Sequence, residues 1–286
     1  MALKSIKAIF QGKPQRVGDG FIGRSLIPHN NFHDFSPFML LDHHGPMTVH
    51  PSPIPKGVDA HPHRGIETIT IVYEGALQHR DSAGNKGTLF AGDVQWMTAA
   101  SGLVHEEKHE IEFSKKGGVL NFVQLWTNLP RAYKMTPPRY QEIAAANTPN
   151  HQITEGVTMR LIAGETMGLK GVADTYNPVF LADVIVSQKS DFTLQLPENQ
   201  NLAIYPTEGS ITLNGEKTIA VNEIALLKQD GTDVTISATD AARFLILGGE
   251  SINEPIVSYG PFVMNTPEEI REAISDYQTG KMGFLA

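Results

Sequence analysis

Short apolar runs separated by glycine, aspartate and asparagine recur along the whole chain. The runs are rich in valine, isoleucine, threonine and phenylalanine. Runs of this kind between turn-forming residues are typical of β-sandwiches and β-barrels. The clearest predicted strands are 66–73, 94–98, 119–126, 179–186, 201–205, 224–227 and 244–247. Polar and apolar residues also alternate over 1–10, which indicates a strand and not the unbroken apolar centre of a signal peptide.

The two halves of the chain share a faint strand-turn-strand repeat. Glu74-Gly75 matches Glu208-Gly209, and a Gly84-Asn85 turn matches the Asn214-Gly215 pair, which suits a tight hairpin. A reused unit of this kind predicts two domains of one type. We therefore expect an amino-terminal domain over 1–136, a linker over 137–152 and a carboxy-terminal domain over 153–286.

One helix is predicted near the end of the chain. Thr266 provides an N-cap hydroxyl, Pro267 takes the first helical position, Glu269 completes a capping box and Gly280 ends the helix. Its apolar face predicts packing on the outside of a barrel, as a structural clasp. That face consists of Ile270, Ala273, Ile274 and Tyr277.

Composition narrows the range of functions. The net charge of −8 disfavours direct binding of nucleic acid, because phosphate contacts need clustered lysine and arginine. With 26 glycines, 18 prolines and no cysteine, the chain favours an all-β fold, and any metal must have nitrogen and oxygen ligands. No run approaches the about 20 apolar residues of a membrane span. We expect a cytoplasmic monomer without a membrane partner.

Histidine is confined to the first part of the chain. All eleven histidines lie at or before position 151, so only the amino-terminal domain can hold a histidine-ligated metal. His61 and His63 share one face of an extended segment, as do His105 and Glu107. Three imidazoles and a carboxylate would bind one divalent ion and leave positions open for water or substrate. Glu67 has the same parity as His61, so local pattern leaves the choice between Glu67 and Glu107 open.

The spacing of these residues resembles the two consensus motifs of the cupin superfamily. The first consists of His61, His63, Glu67 and Gly75, and the second of Gly92, Gly102 and His105. Longer stretches resemble the signature sequences of the pirin family. They are Asp59–Thr68, Gly92–Ala99, Gln124–Leu129 and Gly260–Thr266. The resemblance implies an all-β chain of two cupin barrels, each a double-stranded β-helix or jelly roll, with a short carboxy-terminal helix.

The pirin resemblance also implies a ligand set and an activity. The ligands would be His61, His63, His105 and Glu107, with Glu67 as a supporting acid. Such ligands suit iron(II), with manganese, nickel, copper or zinc as alternatives. For bacterial pirins the implied activity is that of quercetin 2,3-dioxygenase, in which a flavonol and O2 become a depside and carbon monoxide. Glu107 would be the nearest base for the flavonol 3-hydroxyl proton.

Further expectations concern the surroundings of the site and an alternative function. Buried acceptors such as Glu67 or Gln124 would orient the second ring nitrogens of the ligands, while His79 would cap the Asp81 turn. The chain departs from the family at Ala99–Gly102 and at Glu106, both expected near the pocket mouth. The alternative function is that of a non-enzymatic regulator, whose metal and oxidation state shape a surface for a partner protein.

Overall fold

The computed structural model describes residues 2–28 and 32–285. In chain order its strands are β1 (Ile6–Gln11), β2 (Lys13–Val17), β3 (Phe21–Ser25), β4 (Phe38–Val49), β5 (Gly57–His63), β6 (Ile66–Glu74), β7 (Ala76–Asp81), β8 (Lys86–Phe90), β9 (Val94–Thr98), β10 (Leu103–His109), β11 (Gly118–Asn128), β12 (Arg139–Ile143), β13 (Asn150–Thr154), β14 (Val157–Ala163), β15 (Glu165–Thr166), β16 (Leu169–Lys170), β17 (Val179–Val186), β18 (Ser190–Gln195), β19 (Asn201–Glu208), β20 (Ser210–Leu213), β21 (Lys217–Ala220), β22 (Glu223–Leu227), β23 (Asp233–Ala238), β24 (Ala242–Gly249), β25 (Val257–Tyr259) and β26 (Phe262–Met264). The α-helices are α1 (Ile111–Lys116) and α2 (Pro267–Gln278), and short 3-10 helices occur at Phe32–Phe35, Arg131–Tyr133 and Ala145–Asn147. Neither α-helix is long and apolar enough to cross a membrane.

The all-β prediction is confirmed. The predicted strands 94–98 and 179–186 match β9 and β17 residue for residue, and the other predicted runs each fall on a strand that differs by a few residues. Both expected hairpin turns are present, between β7 and β8 and between β20 and β21. Alternation and turn chemistry were therefore sufficient to identify these strands.

The chain divides into two compact units. Barrel 1 consists of Pro14–Arg24, Leu41–Ala145 and Ile252–Ala286, and barrel 2 of Met1–Lys13, Ser25–Leu40 and Ala146–Ser251. The division after Ala145 falls inside the predicted linker. That linker is not a plain connection, however, because it carries β12 and the start of β13.

The predicted division into two continuous domains differs from these units at both termini. Strand β1 pairs with β22 and so belongs to barrel 2, where Ile6 and Ile9 pack against the apolar core. Helix α2 belongs to barrel 1 and not to the carboxy-terminal barrel. Such exchanges depend on pairings between residues about 200 positions apart, which local sequence patterns do not contain.

The two units have the same sheet order, which accounts for the sequence repeat. Barrel 1 has a seven-stranded sheet with the order β12-β9-β6-β11-β4-β3-β2 and a four-stranded sheet with the order β5-β10-β7-β8. Barrel 2 repeats it as β1-β22-β19-β24-β17-β14-β13 and β18-β23-β20-β21. Gly75 and Gly209 occupy the same hairpin in the two units, and each has a positive φ (81° and 68°) that favours glycine.

The interiors of the two barrels differ in chemistry. In barrel 2 the buried residues of β18, β20 and β23 are mostly apolar, with Leu194, Ile211 and Ile236 among them. In barrel 1 the corresponding strands β5, β7 and β10 bury histidine, aspartate and glutamate. Buried polar groups destabilise a fold unless they have partners. Barrel 1 therefore has to satisfy them internally.

Helix α2 fastens barrel 1 next to its histidine strand. Thr266 and Glu269 form the predicted capping box. From the buried side of the helix, Asp276 accepts from the Arg64 guanidinium at 2.9 Å, and both side chains are less than a tenth exposed. The Lys134 ammonium joins β26, the strand before the helix, to the turn after β5, since it donates to the carbonyls of Val263 and Gly65. The helix is thus held to barrel 1 by a buried ion pair as well as by its predicted apolar face.

Replacing Asp276 with alanine should lower the free energy of unfolding by about 3 kcal/mol, because Arg64 would stay buried without its counter-charge. Urea unfolding followed by circular dichroism measures the change. Glu272→Ala, on the exposed side of the same helix, is the matched control and should change it by less than about 0.5 kcal/mol. Equal losses in the two variants would contradict the clasp.

Candidate metal centre

Two adjacent strands of barrel 1 carry the predicted ligands. Strands β5 and β10 are antiparallel, with His105 opposite His61 and Leu103 opposite His63. The register shifts between His105 and Glu107, where β5 has one extra residue. A bulge of this kind re-aims the side chains beside it. It lies directly next to His61.

The structure brings His61, His63 and His105 together. One ring nitrogen from each lies within 4.8 Å of the other two. The Nε2 atoms of His61 and His63 are 3.1 Å apart. Two nitrogens at about 2.1 Å from one ion and about 90° apart would have nearly this separation. The spacing therefore fits two ligands of one metal ion.

The hydrogen bonds of these two rings support the same conclusion. The Nδ1 of His61 lies 2.8 Å from the Asp59 carbonyl, and the Nδ1 of His63 lies 3.3 Å from the Pro261 carbonyl. A carbonyl only accepts, so each Nδ1 carries a proton, and in the neutral form of each ring Nε2 presents a lone pair. Two lone pairs facing each other repel unless a cation lies between them. The residues therefore fit a divalent metal ion.

His105 completes the cluster with a third unpaired nitrogen. Its Nε2 is buried and has no hydrogen-bond partner among the described residues. Burial lowers the pKa of His105 well below its ordinary value, and the neighbouring imidazoles lower it further. Burial, followed by the charge of His61, lowers the pKa of His63 to about 3. Both rings are thus neutral at neutral pH, as a metal ligand must be.

Glu107 belongs to a second group that overlaps the first. Its carboxylate lies within 4.8 Å of ring nitrogens of both His79 and His105. Its Oε1 accepts from the Thr70 hydroxyl at 3.0 Å and lies 3.5 Å from the Gln95 amide nitrogen. Its Oε2 has no hydrogen bond to any described residue. One oxygen is held while the other stays available.

Glu67 lies in neither group. It accepts from the hydroxyls of Thr98 at 2.6 Å and Thr127 at 3.2 Å, and it is fully buried. Burial raises its pKa, an effect that these hydroxyls oppose. The parity argument failed for Glu67 because the turn at Arg64 and Gly65 separates it from β5.

The expectation that Glu67 or Gln124 orients the ligand rings is wrong. Gln124 accepts from Thr70, and the partners of the imidazoles are Asp59, Pro261 and His79. His79 does contact the Asp81 turn, at 3.1 Å, but it also lies against His105. The sequence contains no local signal for Pro261, which is 198 residues from His63.

The two departures from the family pattern lie in different surroundings. The Ser101 carbonyl accepts from the Arg64 guanidinium at 2.7 Å, next to the histidine strand. Glu106 binds Arg80 at 2.5 Å and lines a cavity of about 540 Å³. That cavity includes none of His61, His63 and His105 among its lining residues. It is lined by His79, whose Nδ1 lies 3.4 Å from His105 Nδ1, so the cavity reaches the imidazole cluster only through that residue.

The fold and the cluster define a protein of two cupin-type domains, the first with a candidate metal centre. Two family models match the chain: the one described as Pirin matches residues 20–127, and the one described as Pirin C-terminal cupin domain matches residues 181–283. A protein of Pseudomonas aeruginosa named a putative quercetin 2,3-dioxygenase is 42% identical, covering 93% of both chains. The chain belongs to the pirin family.

Solved structures agree with this assignment. The crystal structure of a quercetin 2,3-dioxygenase from Acinetobacter baumannii is similar over 100% of both chains, with a TM-score of 0.96 and 41% identity. A bacterial pirin from Escherichia coli in complex with nickel(II) has a TM-score of 0.65 at 20% identity, covering 85% of this chain and 98% of that one. The second likeness is one of fold alone.

Replacing His63 with alanine should abolish stoichiometric metal binding, since it removes one of two facing lone pairs. Elemental analysis of protein purified without added metal measures this and also identifies the ion. Glu67→Gln is the control and should retain the metal, whereas Glu107→Gln should lower the affinity. A His63→Ala variant that keeps the ion, or a Glu67→Gln variant that loses it, would contradict this site.

Proposed function

We propose that the protein is a metal-dependent dioxygenase of the pirin type. It would cleave a flavonol such as quercetin with O2 and release carbon monoxide. The observation that carries the proposal is the meeting of one ring nitrogen from each of His61, His63 and His105 within 4.8 Å of one another. The names of relatives with 41% and 42% identity support the choice of reaction.

The proposed ligands are His61, His63, His105 and Glu107, and the proposed ion is iron(II). Imidazole and carboxylate ligands suit iron(II), although manganese, nickel, copper and zinc accept the same donors. A bound ion would lower the pKa of the flavonol 3-hydroxyl and hold the resulting oxyanion. The side chains of this chain are assigned two further tasks, removal of the 3-hydroxyl proton and contact with the aromatic substrate.

Glu107 is the proposed base for the 3-hydroxyl proton. Thr70 and Gln95 hold its Oε1, so Oε2 is the oxygen that would bind the ion and, on leaving it, take the proton from the substrate. Proton transfer by a positioned carboxylate typically contributes 10²–10⁴-fold to a rate. The fixed Oε1 would keep the carboxylate from turning away.

Open space beside the cluster supports binding of a planar substrate. Gln124 and Trp126 on β11 are partly exposed, while their neighbours Val123 and Leu125 are fully buried. Alternate residues of a strand face opposite sides of the sheet, so one side of β11 borders a solvent-accessible space. The Trp126 ring lies 5.0 Å from the His63 ring, where it could contact an aromatic substrate.

Iron(II)-loaded protein should consume quercetin in aerobic buffer and release one carbon monoxide for each flavonol. Loss of the flavonol absorbance band and a carbon monoxide assay measure the two quantities. The His63→Ala variant under the same conditions is the control. If iron-loaded protein consumes no quercetin or related flavonol, the dioxygenase is contradicted and the non-catalytic regulatory role is favoured.

Glu107→Gln should lower kcat by about 10²–10⁴-fold while KM for the flavonol changes little, because the amide cannot accept the proton. The comparison must be made at equal metal content, measured on the same samples. Unchanged turnover in metal-loaded Glu107→Gln would refute the role of base.

A further inference from the structure

His79 is a buried histidine that the proposed mechanism does not use. It lies on β7, where it faces Glu107, while Asp81 on the same strand faces His105. We propose that Asp81 and His79 position His105, by holding its imidazole in the tautomer whose Nε2 lone pair faces the metal. The inference rests on the proposed metal centre and adds two positioning residues to it.

The first link joins Asp81 to His79. Asp81 Oδ2 lies 3.1 Å from His79 Nε2, and both side chains are almost fully buried. Both Asp81 oxygens accept from other donors, Oδ1 from the backbone N–H groups of Ala83 and Asn85 and Oδ2 from the Asn85 side-chain amide at 2.9 Å, which is the environment of an ionised carboxylate. An ionised carboxylate only accepts. His79 Nε2 therefore carries a proton, and in the neutral ring Nδ1 is an acceptor.

Gln95 supports the same assignment of His79. The Tyr140 hydroxyl donates to Gln95 Oε1 at 3.2 Å, and burial raises the pKa of this tyrosine, which keeps the donor protonated. The Gln95 Nε2 then lies 3.5 Å from both His79 Nδ1 and Glu107 Oε1. An amide N–H directed at both atoms requires that both accept. His79 Nδ1 is thus unprotonated by both arguments, and its single lone pair is shared between the Gln95 amide at 3.5 Å and the His105 ring at 3.4 Å.

The last link joins His79 to His105. Their Nδ1 atoms are 3.4 Å apart. Because His79 Nδ1 accepts, His105 Nδ1 must carry the proton and donate. The proton is then absent from His105 Nε2, the buried atom that has no partner among the described residues. The chain of hydrogen bonds accounts for the unpaired atom.

The three histidines among the candidate ligands then share one tautomer but differ in how it is held. Backbone carbonyls accept from His61 and His63, whereas a side chain accepts from His105. A substitution can remove only the side-chain acceptor. His79 is therefore the position at which the orientation of a ligand can be tested without touching the ligand.

The test compares four variants for metal affinity, measured by competition with a chromophoric chelator. His79→Leu should weaken binding about 10–100-fold, the usual effect of losing the partner of a ligand histidine. His79→Gln offers an amide oxygen as acceptor and should recover much of the loss, and Tyr140→Phe should show a smaller loss. His109→Leu is the control, a buried histidine on the same face of β10 as His105, and it should bind metal as the parent protein does.

Two readouts separate positioning from a general loss of structure. The d–d absorption spectrum of the cobalt(II)-loaded protein should change in His79→Leu and not in His109→Leu. In zinc-loaded protein, long-range ¹H–¹⁵N spectra of the imidazoles should show a proton on His105 Nδ1 and on His79 Nε2. The unfolding temperature of each metal-free variant shows whether folding is intact.

The failures of the two proposals are distinguishable. If the parent protein binds no metal, the metal centre itself is wrong. If it binds metal but His79→Leu binds equally tightly with an unchanged cobalt spectrum, only the positioning role is overturned. A proton on His79 Nδ1, or an equal loss of affinity in His109→Leu, would overturn it as well.

Discussion

The candidate metal centre of barrel 1 depends on one constraint: the Nε2 atoms of two imidazoles face each other across 3.1 Å in a partly buried setting. Both rings are held with a proton on Nδ1 by carbonyls that cannot donate. A buried polar atom without a partner costs about 1–3 kcal/mol. A cation between the rings would remove that cost and convert it into affinity. Metal binding at the proposed site would therefore be linked to the stability of barrel 1.

The two barrels show how one topology can serve two purposes. In barrel 2 the interior strands present apolar residues that pack together, and full burial of each such side chain contributes about 1.5–3 kcal/mol. Barrel 1 lacks part of that contribution, because β5, β7 and β10 bury histidine, aspartate and glutamate in place of apolar side chains. Its polar interior is balanced by hydrogen bonds among those side chains, and by the Arg64–Asp276 ion pair and Lys134 beside the histidine strand.

The carboxy-terminal segment reaches the candidate site directly. The Pro261 carbonyl accepts from His63, and the backbone of Val263 pairs with that of Arg64. The segment that was predicted to belong to the other domain therefore sets the orientation of a proposed ligand. A substitution that destabilises α2 or β26 should therefore alter the orientation of the His63 ring.

From the chain alone it was possible to predict the strands, their turns, the capped helix and the candidate ligands. The strands, turns and helix follow from contacts between residues a few positions apart, such as the Thr266 capping box, whereas the choice of Glu107 over Glu67 as a candidate ligand came from the resemblance to the pirin family. The exchange of terminal segments, the partners Pro261 and His79 and the place of Glu67 could not be obtained in this way. They depend on which strands lie side by side and where a turn interrupts the alternation, and only the folded chain brings those residues within hydrogen-bonding distance.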